Sequence, residues 1–275
     1  MDLTPYLNNV KQQCPLIHCL TNTVTINDCA NILLACGASP TMADEISEVE
    51  EITTIAAGLY INIGTLNKLA IKAMLTSGKK ADDMGKPIVL DPVGIGASQI
   101  RRDTVAKLLE NMTFSCIRGN VSEIKSLASG SKSTRGVDAD TSDLVCDANL
   151  DAYILFAKKL SEKTCSIIAI SGAIDIVADK DRACLIRNGH AMMSQITGTG
   201  CMLTAMLGAY CAANPNNLWE ATIAGIVAMG LAGELAYKKV EKNHAGTGSF
   251  RVWLMDEIST MTAEKLQQGA KIEIR

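Results

Sequence analysis

The sequence lacks any long basic run. Pairs such as Lys79-Lys80 and Lys238-Lys239 are as dense as its positive charge becomes, and the formal net charge is -3 with 20% charged residues. That balance gives no electrostatic footing for nucleic acid or an anionic membrane. Also missing is any Cys-x-x-Cys pair, so neither a zinc site nor a thioredoxin-type motif is supported. Ten cysteines are scattered, mostly in apolar surroundings such as Leu34-Ala35-Cys36 and Tyr210-Cys211-Ala212. They read as small buried hydrophobes rather than a disulfide framework. The N-terminus, Met-Asp-Leu-Thr-Pro, lacks a charged segment followed by an apolar one. The expectation is a cytoplasmic protein with reduced thiols. The apolar run Ile223 to Ala232 is too short to span a bilayer and reads as a buried helix. No repeat, low-complexity tract or Pro/Gly/Ser-rich linker divides the chain, so residues 1–275 are expected to form one domain.

What is present is a strongly apolar chain, 48% hydrophobic, with alternating short apolar runs and amphipathic segments. Thr4-Pro5 opens a helix to about Gln13, and Leu16 to Leu20 reads as a strand. Helices are expected over Thr25–Cys36, stopped by Gly37, and over Ser47–Ala57, stopped by Gly58. Strands follow at Leu59–Ile63, Pro87–Leu90, Phe114–Ile117 and Ser166–Ile170. Between them lie helices at Asn67–Ser77, Asp103–Met112, Val121–Ala128 and Leu150–Leu160. The polar segment Ser129 to Asp147 reads as an exposed loop. Ile174 to Asn188 reads as an antiparallel hairpin turning at Asp179–Arg182. Beyond Thr197 the chain is nearly all helical, over Cys201–Ala213, Leu218–Val240 and Ser249–Gln267. The pattern predicts an α/β fold with a mostly parallel central sheet and helices on both faces.

In such sheets ligands bind outside the carboxyl ends of the strands. Polar, glycine-containing turns are expected there: Thr21-Asn22, Gly64-Thr65, Asp91-Pro92-Val93-Gly94, Arg118-Gly119-Asn120 and Ser171-Gly172. Each is also an ordinary strand-to-helix turn composition, so the signal lies in finding all of them together. Thr197-Gly198-Thr199-Gly200-Cys201 precedes an apolar helix, and the glycines permit an anion-binding concavity at its N-terminus. Neither a Walker A loop nor a dinucleotide fingerprint is present. Cys201 is expected at the first helical position, where the helix dipole would lower its thiol pKa. A nucleophilic cysteine stays open, although of the three histidines His18 reads as core and His190 and His244 as turn and loop residues. Asp91 and Glu123 fall at one sheet edge and together suit Mg²⁺ held through waters. Glu123 is equally a helix-capping residue, and Asp91 equally a turn residue before proline.

Taken in order, several segments resemble the hydroxyethylthiazole kinases, a thiamine-salvage family with the ribokinase-like fold. They are Thr21-Asn22 with Asn27 and Asn31, Gly37–Ala43, Asn62–Leu66, Leu90–Ala97, Arg118–Glu123, Gly136-Val137-Asp138, Thr197–Cys201 and Gly248-Ser249-Phe250. Most ribokinase-like kinases carry Asp where this chain has Cys201, whereas the thiazole kinases carry Cys. The resemblance implies that Met42 and Gly198 contact the thiazole and that Asn22 and Gly64 line its pocket. It implies Arg118 and Ser171 at ATP, with Ser171 standing where the family usually has Thr. It implies Mg²⁺ near Asp91 and Glu123, and a phosphoryl group held by backbone N–H groups from Thr197 through Gly200 to Cys201. Cys201 would accept or orient the alcohol proton. The family's usual proline near Gly248 is Thr247 here, which bears on local loop rigidity. A homotrimer with active sites between subunits is the implied assembly. Rival readings are a hydroxymethylpyrimidine kinase, a non-catalytic binder and a cysteine hydrolase.

Overall fold

Strand residues in this chain alternate between two faces that are both buried. A computed structural model describes residues 1–129 and 145–275. Its strands are β1 (Leu16–Leu20), β2 (Ser39–Thr41), β3 (Gly58–Asn62), β4 (Ile88–Asp91), β5 (Cys116–Asn120), β6 (Ile167–Ser171), β7 (Asp175–Ala178), β8 (Ala183–Ile186) and β9 (Ile272–Ile274). They form a nine-stranded sheet in the order β2-β1-β3-β4-β5-β6-β7-β8-β9. From β2 to β6 the neighbours are parallel, and β6 to β9 pair antiparallel. Ile17, Cys19, Tyr60 and Val89 point into one core, while Leu20, Leu59, Ile61 and Leu90 point into the other. This period of two, apolar on both faces, makes the strands read as continuous hydrophobic runs.

Helices cover each face. The first core takes α1 (Thr4–Gln13), α2 (Ile26–Cys36), α8 (Thr199–Ala213), α9 (Leu218–Asn243), α10 (Thr247–Ser259) and α11 (Ala263–Gly269). The second takes α3 (Val49–Ile55), α4 (Lys68–Asp83), α5 (Gln99–Asn111), α6 (Val121–Ser129) and α7 (Leu150–Thr164). By length and composition α9 could cross a membrane, yet 78% of its most apolar window is buried inside the protein. A helix apolar all round is what the centre of a large core requires. Seven of the ten cysteines are buried and all are free thiols, consistent with their role as small apolar side chains. His18 is fully buried, with Nδ1 at 2.9 Å from Thr53 Oγ1 and Nε2 at 2.7 Å from the Ala43 carbonyl.

Several boundaries differ from the sequence reading, each for a local reason. Gly58 does not stop α3; it opens β3, and a Cβ there would stand 3.0 Å from Ala212 Cβ on α8. The helix ends instead where Lys86 Nζ donates to the Thr53, Thr54 and Ala56 carbonyls at 3.0, 2.5 and 2.7 Å. Arg118-Gly119-Asn120 and Ser171 are the last residues of β5 and β6 rather than turn residues. The α5 helix starts at Gln99 rather than Asp103, which brings Arg101 and Arg102 into its first turn. The expected helix Ser249–Gln267 is two helices, the second capped by Thr262 Oγ1 accepting from Lys265 N at 3.1 Å. Thr247 stands at the first position of α10, where proline is also tolerated, so the departure from proline there alters no loop. The expected loop segment falls, at 130–144, outside the described residues, as does Gly136-Val137-Asp138.

Candidate active site

The order β2-β1-β3 places a topological switch point between β1 and β3, because the chain leaves β1 toward β2 and returns on its other side. Asn22 follows β1, and Asn62 closes β3. Their side chains meet there: Asn22 Nδ2 donates to Asn62 Oδ1 at 3.1 Å. Both residues are nearly fully buried. Asn22 Oδ1 in turn accepts from Val24 N and Thr25 N at 3.1 and 3.0 Å, which locks the turn entering α2.

Asn62 is the hub of the site. Its Nδ2 lies 2.8 Å from Tyr60 OH, 3.1 Å from Asp91 Oδ2 and 3.2 Å from Cys201 Sγ, so its two N–H bonds are shared among three acceptors. Its Oδ1 also accepts from Gly64 N at 2.8 Å. Tyr60 OH donates onward to the Cys201 carbonyl at 3.1 Å. Thr204, one turn into α8, donates to Asp91 Oδ2 at 2.9 Å. Asn62, Tyr60 and Thr204 were not singled out from the sequence. Asn62 sat in view at a strand end, but nothing local marks a carboxamide as a hub.

Cys201 occupies the third position of α8 rather than the first, since Gly198 is the N-cap and Thr199 the first helical residue. The first helical bond runs from Met202 N to the Gly198 carbonyl at 2.8 Å. The N–H groups of Thr199, Gly200 and Cys201 therefore have no intrahelical acceptor, the general condition for anion binding at a helix start. The thiol behaves differently from the expectation. Burial, and then the Asp91 carboxyl beside it, push its pKa up, while hydrogen bonds including those from Asn62 and Asn22 pull down. Desolvation of a nearly buried sulfur outweighs the helix dipole because the dipole's effect is at most modest. Cys201 Sγ accepts from Asn22 Nδ2 at 3.3 Å and Asn62 Nδ2 at 3.2 Å. Its described partners include no imidazole, and His18 and His190 are engaged elsewhere. A cysteine hydrolase would need such a base.

Asp91 is 1% exposed, and its Oδ1 is buried without a partner. Burial, reinforced by Glu123, raises its carboxyl above the usual carboxylate range against the opposing pull of Arg118. Glu123 spends one oxygen on Gly94 N at 2.9 Å and the other on Asn120 N at 2.8 Å. Among the described residues no cluster of three or more His, Cys, Asp or Glu side chains forms a metal cage. An unpartnered, buried carboxylate oxygen suits a cation that keeps most of its waters, which is the habit of Mg²⁺.

A cavity of about 610 Å³ opens beside the start of α8. Arg118, Ser171, Thr199 and Gly200 line one end, and Ile226 and Met229 line the apolar part. Arg118 Nη2 donates to Ser171 Oγ at 2.5 Å, and its buried Nε has no partner. Gly200 is required for this approach: a Cβ there would stand 2.5 Å from Arg118 Nη1. Asp175 also lines the cavity, with Oδ1 accepting from Gly172 N at 2.8 Å and its carboxyl pushed up to about 7 by burial. On the other side of the switch point, Met42 lines a dent of only about 20 Å³ with Thr21 and Ile26. Gly198, with φ +88°, packs against Thr25, whose Cγ2 would be 2.8 Å from an added Cβ. Thr197 precedes the cap and lines neither hollow.

A family model described as the hydroxyethylthiazole kinase family matches residues 7–264. The hydroxyethylthiazole kinase of Clostridium acetobutylicum is 55% identical over 267 residues, covering 97% of this chain and 97% of that protein. The solved structure of a hydroxyethylthiazole kinase protein from Pyrococcus horikoshii OT3 superposes with a TM-score of 0.88 at 32% identity, over 99% of this chain and 98% of that one. A pyridoxal kinase from Staphylococcus aureus shares the fold at a TM-score of 0.56 and 14% identity, over 80% and 87% of the two chains.

Proposed function

The chain belongs to the hydroxyethylthiazole kinase family, and from that premise we propose which of its residues carry each part of the reaction. The family's ribokinase-like fold and kinase activity are those of this chain. It transfers a phosphoryl group to the hydroxyethyl alcohol of 4-methyl-5-(2-hydroxyethyl)thiazole in thiamine salvage.

ATP is the donor. The cavity beside α8 takes it, with Arg118 and Ser171 at the phosphates and the apolar wall of Ile226 and Met229 against the base. The N–H groups of Thr199, Gly200 and Cys201 and the Arg118 guanidinium converge on the γ-phosphoryl position. The Thr197-Gly198 approach to α8 sets the angle of that cradle through the left-handed Gly198. Such transfer depends on positioning and on fixed positive charge more than on a strong base. Asp91 would hold a Mg²⁺ ion through its unpartnered Oδ1, and that ion would supply charge neutralisation for the phosphates. Glu123 contributes its field and, accepting from Gly94 N and Asn120 N, keeps the Asp91–Gly94 turn in place.

The acceptor alcohol lies at the switch point, between Asn22, Gly64, Met42 and Gly198. Cys201 Sγ orients the alcohol there as a neutral thiol, in keeping with its raised pKa. A single chain gives only a shallow dent beside Met42. Ile26 in its lining, Val24 two residues before it and Leu69 next to the lining residue Ala70 expose apolar side chains, with 65% of Val24 and 67% of Leu69 accessible. A neighbouring subunit covers this patch in a homotrimer and completes the acceptor pocket, which explains apolar side chains left in water. Residues 1–275 act as one kinase domain in the cytoplasm.

The observation that carries this reading is the meeting of Asn22, Asn62, Asp91 and Cys201 at the switch point, next to an α8 N-terminus open to the Arg118 cavity. Coupled ATP turnover, with the thiazole alcohol and hydroxymethylpyrimidine as separate sole acceptors, tests it. Turnover of the thiazole alcohol alone is expected, and preference for the pyrimidine would overturn the acceptor assignment. Light scattering of purified protein tests the trimer, and Leu69→Asp is expected to shift it toward monomer with a raised KM for the thiazole.

A further inference from the structure

Two arginines sit side by side in the first turn of α5, where the positive end of the helix dipole disfavours them. Their hydrogen bonds explain the placement. Arg101 Nη1 donates to the Ile63 carbonyl at 2.9 Å and to the Val93 carbonyl, while Nη2 donates to the Gly64 carbonyl at 2.7 Å. Arg102 Nη1 donates to the Gly96 carbonyl at 3.0 Å. Arg101 thus binds the main chain leaving β3 and the main chain leaving β4 with one guanidinium.

The Val93–Gly94 peptide is held at both ends. Its carbonyl accepts from Arg101, and its N–H donates to Glu123 Oε1 at 2.9 Å. A positive and a negative side chain therefore fix the plane of one peptide group. Gly94 carries φ +61°, a left-handed conformation that leaves this peptide free to rotate unless it is anchored. The Ile63–Gly64 peptide is held in the same way, its N–H by Asn62 Oδ1 at 2.8 Å and its carbonyl by Arg101 Nη1 at 2.9 Å, and the Gly64 carbonyl also accepts from Arg101. A continuous path runs from Cys201 through Asn62 and Gly64 to Arg101, then through Val93-Gly94 to Glu123.

We propose that Arg101 is a positioning residue for the transfer, holding the acceptor-side turn Ile63-Gly64 in register with the Asp91–Gly94 turn. It touches neither substrate. The planar fork of a guanidinium reaches three carbonyls in the turns after two strands at once, which a lysine ammonium does not reproduce. The consequence lies in the distance between alcohol and phosphoryl group, to which transfer rates are steeply sensitive.

The inference rests on the kinase reading for its functional meaning, and its test separates the two. Arg101→Gln, Arg101→Lys and Arg101→Ala are compared with the wild type by steady-state kinetics, active-site titration and hydrogen exchange. In Arg101→Gln, kcat is expected to fall about tenfold or more and KM for the thiazole to rise, with KM for ATP within about twofold. Exchange is expected to quicken at residues 62–66 and 92–96 alone. Arg101→Lys should recover part of kcat, and added guanidinium ion should raise turnover by Arg101→Ala. Wild-type constants in Arg101→Gln, or unchanged exchange at both turns, would overturn the proposal. So would a loss confined to the active fraction, since that marks a purely structural part. If Arg101→Gln does not fold, Arg101→Lys is read by the same criteria. A wild type inactive on the thiazole, with quickened exchange at both turns in the variant, removes the acceptor assignment and leaves the brace.

Discussion

Asn62 Nδ2 lies 3.2 Å from Cys201 Sγ and 3.1 Å from Asp91 Oδ2, so one carboxamide joins the thiol of α8 to the carboxylate of β4. Removing it unsatisfies several buried groups together. Asn62→Ala is expected to cost about 1–3 kcal/mol of stability, the range for buried polar groups left without partners. It should also lower kcat about tenfold or more, because Asp91 and Cys201 lose their common support. Denaturant unfolding and turnover of the same preparation check this, and an unchanged kcat would sink the hub role.

The thiol of Cys201 is held neutral by burial and by Asp91. Its contribution to proton transfer near neutral pH is correspondingly small. Cys201→Ala is expected to lower kcat by less than about tenfold, below the roughly 10²–10⁴-fold that full general-base assistance contributes. Cys201→Asp keeps the acceptor for Asn22 and Asn62 and offers the alcohol an ionisable carboxylate in place of a neutral thiol, and should match or exceed the wild type. A loss of several orders of magnitude in Cys201→Ala would restore the thiol to a central role.

Two glycines of the α8 approach fail differently when given a side chain. At Gly200 an added Cβ meets the end of the Arg118 side chain at 2.5 Å. Gly200→Ala should displace Arg118 and raise KM for ATP with little change in melting temperature. At Gly198, φ is +88° and the Cβ would meet Thr25 Cγ2 at 2.8 Å. Gly198→Ala should destabilise the fold by about 1–3 kcal/mol through backbone strain. Equal effects on ATP affinity would contradict the assignment of Arg118 to the phosphates.

Asp175 makes stability depend on pH. Its folded carboxyl titrates near 7 against an unfolded value of 3.8. Between those values the folded chain holds a proton that the unfolded chain has lost. The stabilisation is complete below about pH 4 and is lost as pH rises through 7. Asp91, also raised, acts in the same direction. Asp175→Asn should therefore flatten part of the decline in melting temperature between pH 5 and pH 8, and identical slopes would refute the protonated carboxyl.

Legibility of the fold followed from how local each signal was. Leu16–Leu20 and the hairpin around Asp179–Arg182 were readable because apolar period and turn residues are local properties. Gly37 was readable as a stop because a left-handed cap is also local, and its φ is +96°. Gly58 was misread because its reason is the approach of Ala212 from α8. The α5 start was misplaced because Arg101 and Arg102 are unfavourable there until the carbonyls of Ile63, Gly64, Val93 and Gly96 are brought to them.

The sequence alone determined the alternation of strands and helices, the glycine approach to α8, and the family, since these rest on residue order and local propensity. Only the tertiary structure decided the ionisation of Cys201. A thiol near a helix start reads as activated, but the sulfur is held by Asn22 and Asn62 within the field of Asp91, and burial reverses the shift. The same holds for Asn62 and Arg101, ordinary residues in the chain that become a hub and a brace when β1, β3 and β4 lie side by side. Desolvation and convergence of groups distant in sequence are properties of the packed state.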